Sequence, residues 1–338
     1  MDLKTLWFIL ITVLFIGFFF LEGFDYGVGM LLPFLGKRDE ERRAILNAIG
    51  PFWDGNEVWM ITAGGALFAS FPQWYATLFS GFYIPLVLML LALILRGVGF
   101  EFRSKEESAG WRSTWDWLIW LGSLLPALLW GVAIANIVRG VPIDANMHYT
   151  GGFFNLLNPY ALIGGITFVV LFLMHGATYL ALKLTNGLEK QATRVAGRMW
   201  VATLVMAVIF LLYSYPEVLS KAQYLGLSLV FLAVAVVALL VDGYFLKNGK
   251  MLQAFWAGGV TILGVTAGFF AALYPNVMPS STNPAYSLTI ANASASPTTL
   301  KVMTIVAVVL VPIVLVYQAW TYYTFRKRIS TKKEELTY

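Results

Sequence analysis

Cysteine is absent from this chain. That excludes disulfides, thiolate metal sites, cysteine nucleophiles and covalent haem attachment through a Cys-x-x-Cys-His motif. Histidine is nearly absent too, with His148 and His175 the two examples. Charge is scarce, at 12% of residues against roughly 25% in an ordinary soluble domain. The sequence also lacks a Walker loop, a His-Glu-x-x-His motif and a dinucleotide fingerprint after a strand. ATP- or NAD-driven chemistry therefore has no support.

What fills the chain is apolar. Of its 338 residues 59% are hydrophobic and 16% aromatic, and the mean hydropathy is positive. Too little polar surface remains to cover a water-soluble globule, so the composition predicts an all-α polytopic membrane protein. Runs of about 20 apolar residues predict nine transmembrane helices, at approximately 6–33, 51–71, 75–99, 115–137, 160–183, 198–215, 223–245, 254–275 and 302–325. The sixth is the weakest, cut short at Tyr213-Ser-Tyr-Pro216, and Phe71-Pro-Gln-Trp74 supplies the turn between the second and third. The first run has no small-x-small cleavage site before Glu22 and is read as a retained helix.

Of the 23 Lys and Arg residues, 18 fall on one side of these spans and 4 on the other, with Arg96 inside a span. The positive-inside rule then places the N-terminus outside and the C-terminus in the cytoplasm. This distribution also explains the net charge of +5 as topology and contact with anionic lipid, leaving no case for nucleic acid. A weak internal match, Glu22-Gly-Phe-Asp-Tyr26 against His175-Gly-Ala-Thr-Tyr179, suggests two four-helix bundles and a peripheral ninth helix. The expected organisation is a first four-helix unit (1–145), a second (146–275), and an outside loop, ninth helix and cytoplasmic tail (276–338).

Ionisable residues at membrane depth are costly and usually face protein or water with a partner. Glu22, Asp25, Asp54, Glu57, Arg96 and Glu101 all lie inside or at the edge of the first three spans, in the cytoplasmic half. Glu22 and Asp25 are three apart and share a helix face, as do Asp54 and Glu57. Such a gathering predicts proton or ion handling. Blander readings stand beside it: Asp54 and Glu57 as complements to a helix dipole, Arg96, Glu101 and Arg103 as residues snorkelling to the boundary. His175 reads best as a histidine satisfied by a neighbouring helix, with haem ligation and proton transfer as the other options. No metal site and no catalytic residue is predicted on the chain.

At these same residues the chain resembles subunit II of cytochrome bd quinol oxidases. The resemblance rests on Glu22-Gly-Phe-Asp-Tyr-Gly-Val-Gly-Met30, on Gly50-Pro-Phe-Trp-Asp-Gly-Asn-Glu-Val-Trp59 and on Thr62-Ala-Gly-Gly-Ala-Leu-Phe-Ala69. Phe79-Ser-Gly-Phe-Tyr83, Arg96-Gly-Val-Gly-Phe-Glu-Phe-Arg103 and Trp115-Asp116 extend it. It is strong over about 20–145 and rests on span count and orientation beyond. It implies a bacterial cytoplasmic-membrane quinol:oxygen oxidoreductase that reduces O2 to water, takes protons from the cytoplasm and generates proton motive force. Haem b558, haem b595 and haem d are then expected on subunit I, with quinol as substrate and no cofactor on this chain alone. Expected partners are subunit I, lipid, membrane quinol and, in some members, a small single-helix subunit.

Carried over residue by residue, the family's helix 1 aspartate matches Asp25, its Trp-Asp pair matches Trp53 and Asp54, and its helix 3 arginine matches Arg96. The first two are positions associated with proton delivery; Arg96 would steady haem propionates or anchor the carboxylates. The family also accepts Gln at Glu57, which puts an obligatory role there in doubt. Glu22 and Glu101 complete the expected proton pathway, and Gly27, Asn56, Trp53 and Trp59 support the motifs. A secondary transporter with an intramembrane carboxylate–arginine site, or a purely structural scaffold, is the alternative. The crowding of charges into the cytoplasmic half of three helices disfavours the transporter, whose site would draw on both repeats near the midplane.

Overall fold

A computed structural model of the chain describes residues 2–332 and 336. The rest of the expected cytoplasmic tail lies outside the described residues. Eleven α-helices are present among the described residues. Helix α1 (Leu3–Leu35) is about 50 Å long at 1.5 Å per residue. Asp2 caps it by accepting from the Thr5 amide (2.8 Å), and Gly36 leaves it in extended backbone. A short amphipathic helix, α2 (Asp39–Ile49), follows; it begins Asp-Glu-Glu-Arg-Arg and buries Ala44 to Ile49. Glu41 holds its start by accepting from the amides of Lys37 (2.8 Å) and Arg38 (3.1 Å).

Then come α3 (Trp53–Ser70), α4 (Pro72–Gly81), α5 (Tyr83–Phe102) and α6 (Ala109–Arg139). The predicted third span, 75–99, is therefore two helices. Pro85 explains the break: it lacks an N–H and its ring would strike the carbonyl of Gly81, four residues earlier. Helices α7 (Pro159–Lys183), α8 (Leu188–Glu217), α9 (Leu225–Lys247) and α10 (Met251–Leu273) form the second half. Helix α8 starts ten residues before the predicted 198, because Leu188, Ala192 and Ala196 bury one face at four-residue spacing. A loop with a two-stranded antiparallel ribbon, β1 (Asn276–Met278) and β2 (Leu288–Thr289), leads to α11 (Pro297–Thr324).

Among the described residues, eight helices, α1 and α5 to α11, are long and apolar enough to cross a membrane. Helix α3 is not among them. Its first turns carry Trp53-Asp-Gly-Asn-Glu57, and these lower the hydropathy of its 18 residues.

Helix α1 runs through the centre, packed against α3, α6, α7 and α10. Along its inner half every residue from Glu22 to Leu32 is buried without a gap. The approach to α7 is closest at Gly27 and Gly176. A Cβ on Gly27 would lie 2.9 Å from the Gly176 Cα, and one on Gly176 would lie 2.7 Å from the Gly27 Cα. Only glycine fits on either side, the small-residue packing that membrane helices use in place of a hydrophobic drive. Phe18, Phe19, Trp130, Phe168 and Phe172 fill the layer beyond this crossing.

The outer helices contrast with this core. Leu300 is the buried residue of α11, and Gly64 and Gly65 on α3 have no atom of another element within 4 Å of a notional Cβ. One end of the bundle is closed by charged segments. Arg103 pairs with Asp116 (2.5 Å) and Asp39 (2.9 Å), Arg42 with Asp116 (2.7 Å), and Arg112 with Asp39 (2.9 Å). Arg103 is thus buried in an ion-pair network.

Candidate intramembrane carboxylate–arginine site

Three helices converge about 5–20 Å in from the charged end, reckoned at 1.5 Å per residue. Helix α1 contributes Glu22, Asp25 and Tyr26, helix α3 Asn56 and Glu57, and helix α5 Arg96. Glu22, Asp25 and Arg96 are 0% exposed. The Glu57 side chain, at 19%, is the part of the cluster that reaches outward.

Arg96 is the hub. Its Nη1 donates to Glu57 Oε1 (2.5 Å) and lies 2.7 Å from Glu22 Oε1, an ion-pair distance without hydrogen-bond alignment. The guanidinium sits between the rings of Tyr26 (5.1 Å) and Phe100 (5.2 Å), with Trp53 at 6.0 Å. Trp53 packs on Phe100, so the motif tryptophan walls the arginine in. Asp25 faces another partner: its Oδ2 accepts from Asn56 Nδ2 at 2.6 Å.

Asn56 is held from α11. Its Oδ1 accepts from Tyr322 Oη (2.9 Å) and Gln318 Nε2 (3.2 Å), and Gln318 Oε1 accepts from Trp59 Nε1 (2.9 Å). Phe52 stacks on Tyr322 at 4.3 Å and steadies that contact.

The charge count sets the chemistry. Three carboxyl groups face one guanidinium, so ion pairing can neutralise one of them; the others need a proton, water or a cation. Among the described residues, Glu22 Oε2, Asp25 Oδ1, Tyr26 Oη, and Arg96 Nε and Nη2 are buried without a hydrogen-bond partner. These open valences all belong to the residues of one cluster. The arrangement can pass protons, and it can hold an anionic group against Arg96.

Other sequence-selected residues lie elsewhere. Asp54 is exposed, with its carboxylate accepting from the Gly55 amide (2.7 Å), and Glu101 is exposed at the end of α5. Neither joins the cluster. Gly27 serves the α1–α7 crossing instead of the polar site. Gln318, Tyr322 and Asp242 were not selected from the sequence. Gln318 and Asp242 could have been, since each is a strongly polar residue inside an apolar run.

The model of the family described as cytochrome bd terminal oxidase subunit II matches residues 3–325. The chain belongs to that family. Cytochrome bd ubiquinol oxidase subunit 2 of Bacillus subtilis (strain 168) is 42% identical over 337 residues, covering 100% of this chain and 99% of the relative. Cytochrome bd-I ubiquinol oxidase subunit 2 of Escherichia coli (strain K12) is 39% identical over 367 residues, covering 99% and 96%. A chain in the solved structure of bd oxidase from Geobacillus thermodenitrificans superposes with a TM-score of 0.80 at 15% identity, covering 97% of this chain and 100% of that one. At that identity it speaks for the fold.

Cytochrome bd subunit II is a component of a terminal respiratory oxidase, integral to the bacterial membrane, and haem belongs to its complex. The histidines of this subunit II do not fit an axial haem site. His175 Nε2 lies 3.2 Å from the Phe20 carbonyl and the ring stacks on Phe255 at 4.6 Å, while His148 is exposed beside Asp144. Among the described residues no group of three or more His, Asp or Glu could hold a metal ion.

Proposed function

We propose that this cytochrome bd subunit II, besides supporting the haem-bearing subunit I, lines a route by which cytoplasmic protons reach the site of O2 reduction. The observation that carries the proposal is Asp25, fully buried, with one carboxyl oxygen capped by Asn56 and the other open beside the Arg96 cluster. Glu57, half in and half out, connects that cluster to the charged end, and Asp54 stands one turn nearer the surface. A relay needs titratable groups at graded depth from water to the interior, and these acids stand at such depths. Quinol provides the electrons in this reading, and the reaction of the complex is quinol oxidation coupled to O2 reduction.

The proposed topology keeps nine crossings, with α4 and α5 counted together and α3 included. The N-terminus is outside and the C-terminus cytoplasmic. In this reading subunit I covers the open faces of α3 and α11, and lipid covers the apolar outer surfaces of α8 and α9. Arg96 anchors the carboxylates, and its two open donors suit an anionic group in the complex, such as a haem propionate. Membership of the family sets aside the transporter.

The test is Asp25→Asn in the assembled complex, since Asn keeps shape and much of the hydrogen bonding but cannot titrate. Slowed quinol-driven O2 reduction and proton uptake with intact haem content supports the route. Wild-type turnover with a normal membrane potential would put proton entry elsewhere.

A further inference from the structure

The second half of the molecule buries an acid and a base for which the proton route has no use. Asp242, on α9, is 1% exposed, and both its oxygens lack a hydrogen-bond partner. His175, on α7, is also 1% exposed, and its Nδ1 lacks one too. The two point at the same spot on α10. A Cβ built on Gly258 would stand 3.2 Å from His175 Nδ1 and 3.4 Å from Asp242 Oδ2. Glycine keeps a side-chain carbon from being wedged against both polar atoms, which face each other across its backbone.

The other faces of the pair are closed. The carbonyl of Phe20 can only accept, so His175 Nε2 carries the hydrogen there, and Nδ1 of the neutral ring is an acceptor. Phe255 stacks on the imidazole, and Trp200 packs along α9, donating to Leu239 O (2.7 Å). Ionisable groups on the surrounding elements are turned away. Tyr179 donates to Ala48 O, Glu22 lies beside Arg96, and Arg198, Tyr244 and Lys247 are exposed. Phe20 and Phe24 of α1 lie against His175, while Glu22 and Asp25 occupy the opposite face of that helix.

We propose that His175, Asp242 and the space over Gly258 form a second intramembrane proton-binding site, holding one bridging water and one proton. Charge balance argues for the proton. A carboxylate beside a neutral imidazole would be a lone buried anion, and an imidazolium beside a carboxylic acid a lone buried cation; both are strongly disfavoured at membrane depth. With one proton the pair is neutral overall. The proton rests on the Asp242 carboxyl, with water donating to Nδ1. Alternatively the carboxyl proton goes to the water and a water proton to Nδ1, giving carboxylate and imidazolium. No atom is gained or lost, and the proton belongs to the pair. Asp242 lies five residues before the end of α9, about 8 Å from the charged end, so exchange with cytoplasmic water is short-range.

Infrared difference spectra of the purified complex, recorded in H2O and D2O, test this. The expected result is one protonated-carboxyl band that shifts in D2O, disappears in Asp242→Asn and moves in His175→Gln. Gly258→Ala sets a methyl carbon 3.2 Å from His175 Nδ1 and 3.4 Å from Asp242 Oδ2, against the polar faces that a bridging water would use, and the band should then move to the position of an acid without a hydrogen bond. That last variant leaves both polar groups in place, so it carries the test even if the others assemble poorly. Identical carboxyl bands in wild type and Gly258→Ala would overturn the bridging water. A wild-type spectrum in which Asp242→Asn removes a carboxylate band, with His175 neutral, would overturn the proton.

Discussion

Glu22 on α1 and His175 on α7 open matching pentapeptides, yet the two helices recruit opposite partners. Glu22 meets Arg96, six residues before the end of α5; His175 faces Asp242, five residues before the end of α9. Acid and base have changed places. The surroundings differ as well: the first site gathers three acids around one cation and reaches outward through Glu57, whereas the second balances one acid with one base behind aromatic rings. An excess of acids with an open edge suits transfer, because a proton can enter without creating an unpaired charge. A sealed, balanced pair suits retention.

Arg96→Leu should have the largest effect and sharpens the contrast most. It strips the counter-charge from Glu22 and Glu57 and from the buried Asp25 beside them, and breaking a buried pair from one side costs roughly 3–5 kcal/mol. The haem-containing complex should be lost or its thermal midpoint should fall steeply. Asp242→Asn, a neutral exchange at the balanced site, should cost no more than about 1–2 kcal/mol. If the two variants destabilise equally, the distinction between the sites is unfounded.

Gly27→Leu comes next. It forces a side chain into the α1–α7 crossing and should cost at or above the upper end of the ~1–3 kcal/mol seen for overpacking, read as yield of assembled complex. Full yield would mean the crossing is softer than its backbone contact implies.

Asp25→Asn should slow turnover roughly 10- to 100-fold, within or somewhat below the usual contribution of a positioned proton donor or acceptor. Asp54→Asn should slow it by less than about fivefold, since water can reach Glu57 without that carboxylate. Stopped-flow proton uptake separates the two, and a reversed order would place the buried end of the route outside Asp25. Tyr322→Phe should be mildest, at about 1 kcal/mol or less in thermal stability, because Gln318 still donates to Asn56.

The sequence made the first site legible because its charges are dense in a short stretch of apolar chain: Glu22, Asp25, Glu57 and Arg96 stand out by type and spacing. It did not separate Asp54 from Glu57. Three residues share a face only within about 60°, and at the mouth of a helix that arc divides water from interior. Asp242 carried the same signal as Asp25 but stood alone in its run, and its partner lies 67 positions away on another helix. The grip of α11 on Asn56 was hidden for a like reason, since Gln318 and Asn56 are 262 residues apart. The break at Phe82 was visible in Pro85 but was masked by the continuous hydropathy around it.

The chain of amides from Trp59 through Gln318 and Asn56 to Asp25 has a polarity. Each member donates forward: indole to Gln318, Gln318 to Asn56, Asn56 to the carboxyl. Because Tyr322 also donates to Asn56 Oδ1, that amide cannot flip without losing two bonds. An amide N–H is not surrendered in ordinary proton relay, so this row of dipoles works as an insulator on one side of Asp25. In the proposed route this leaves Oδ1, the oxygen without a hydrogen-bond partner, as the one to carry the proton. A helix with almost no buried surface of its own thereby gives the aspartate a front and a back.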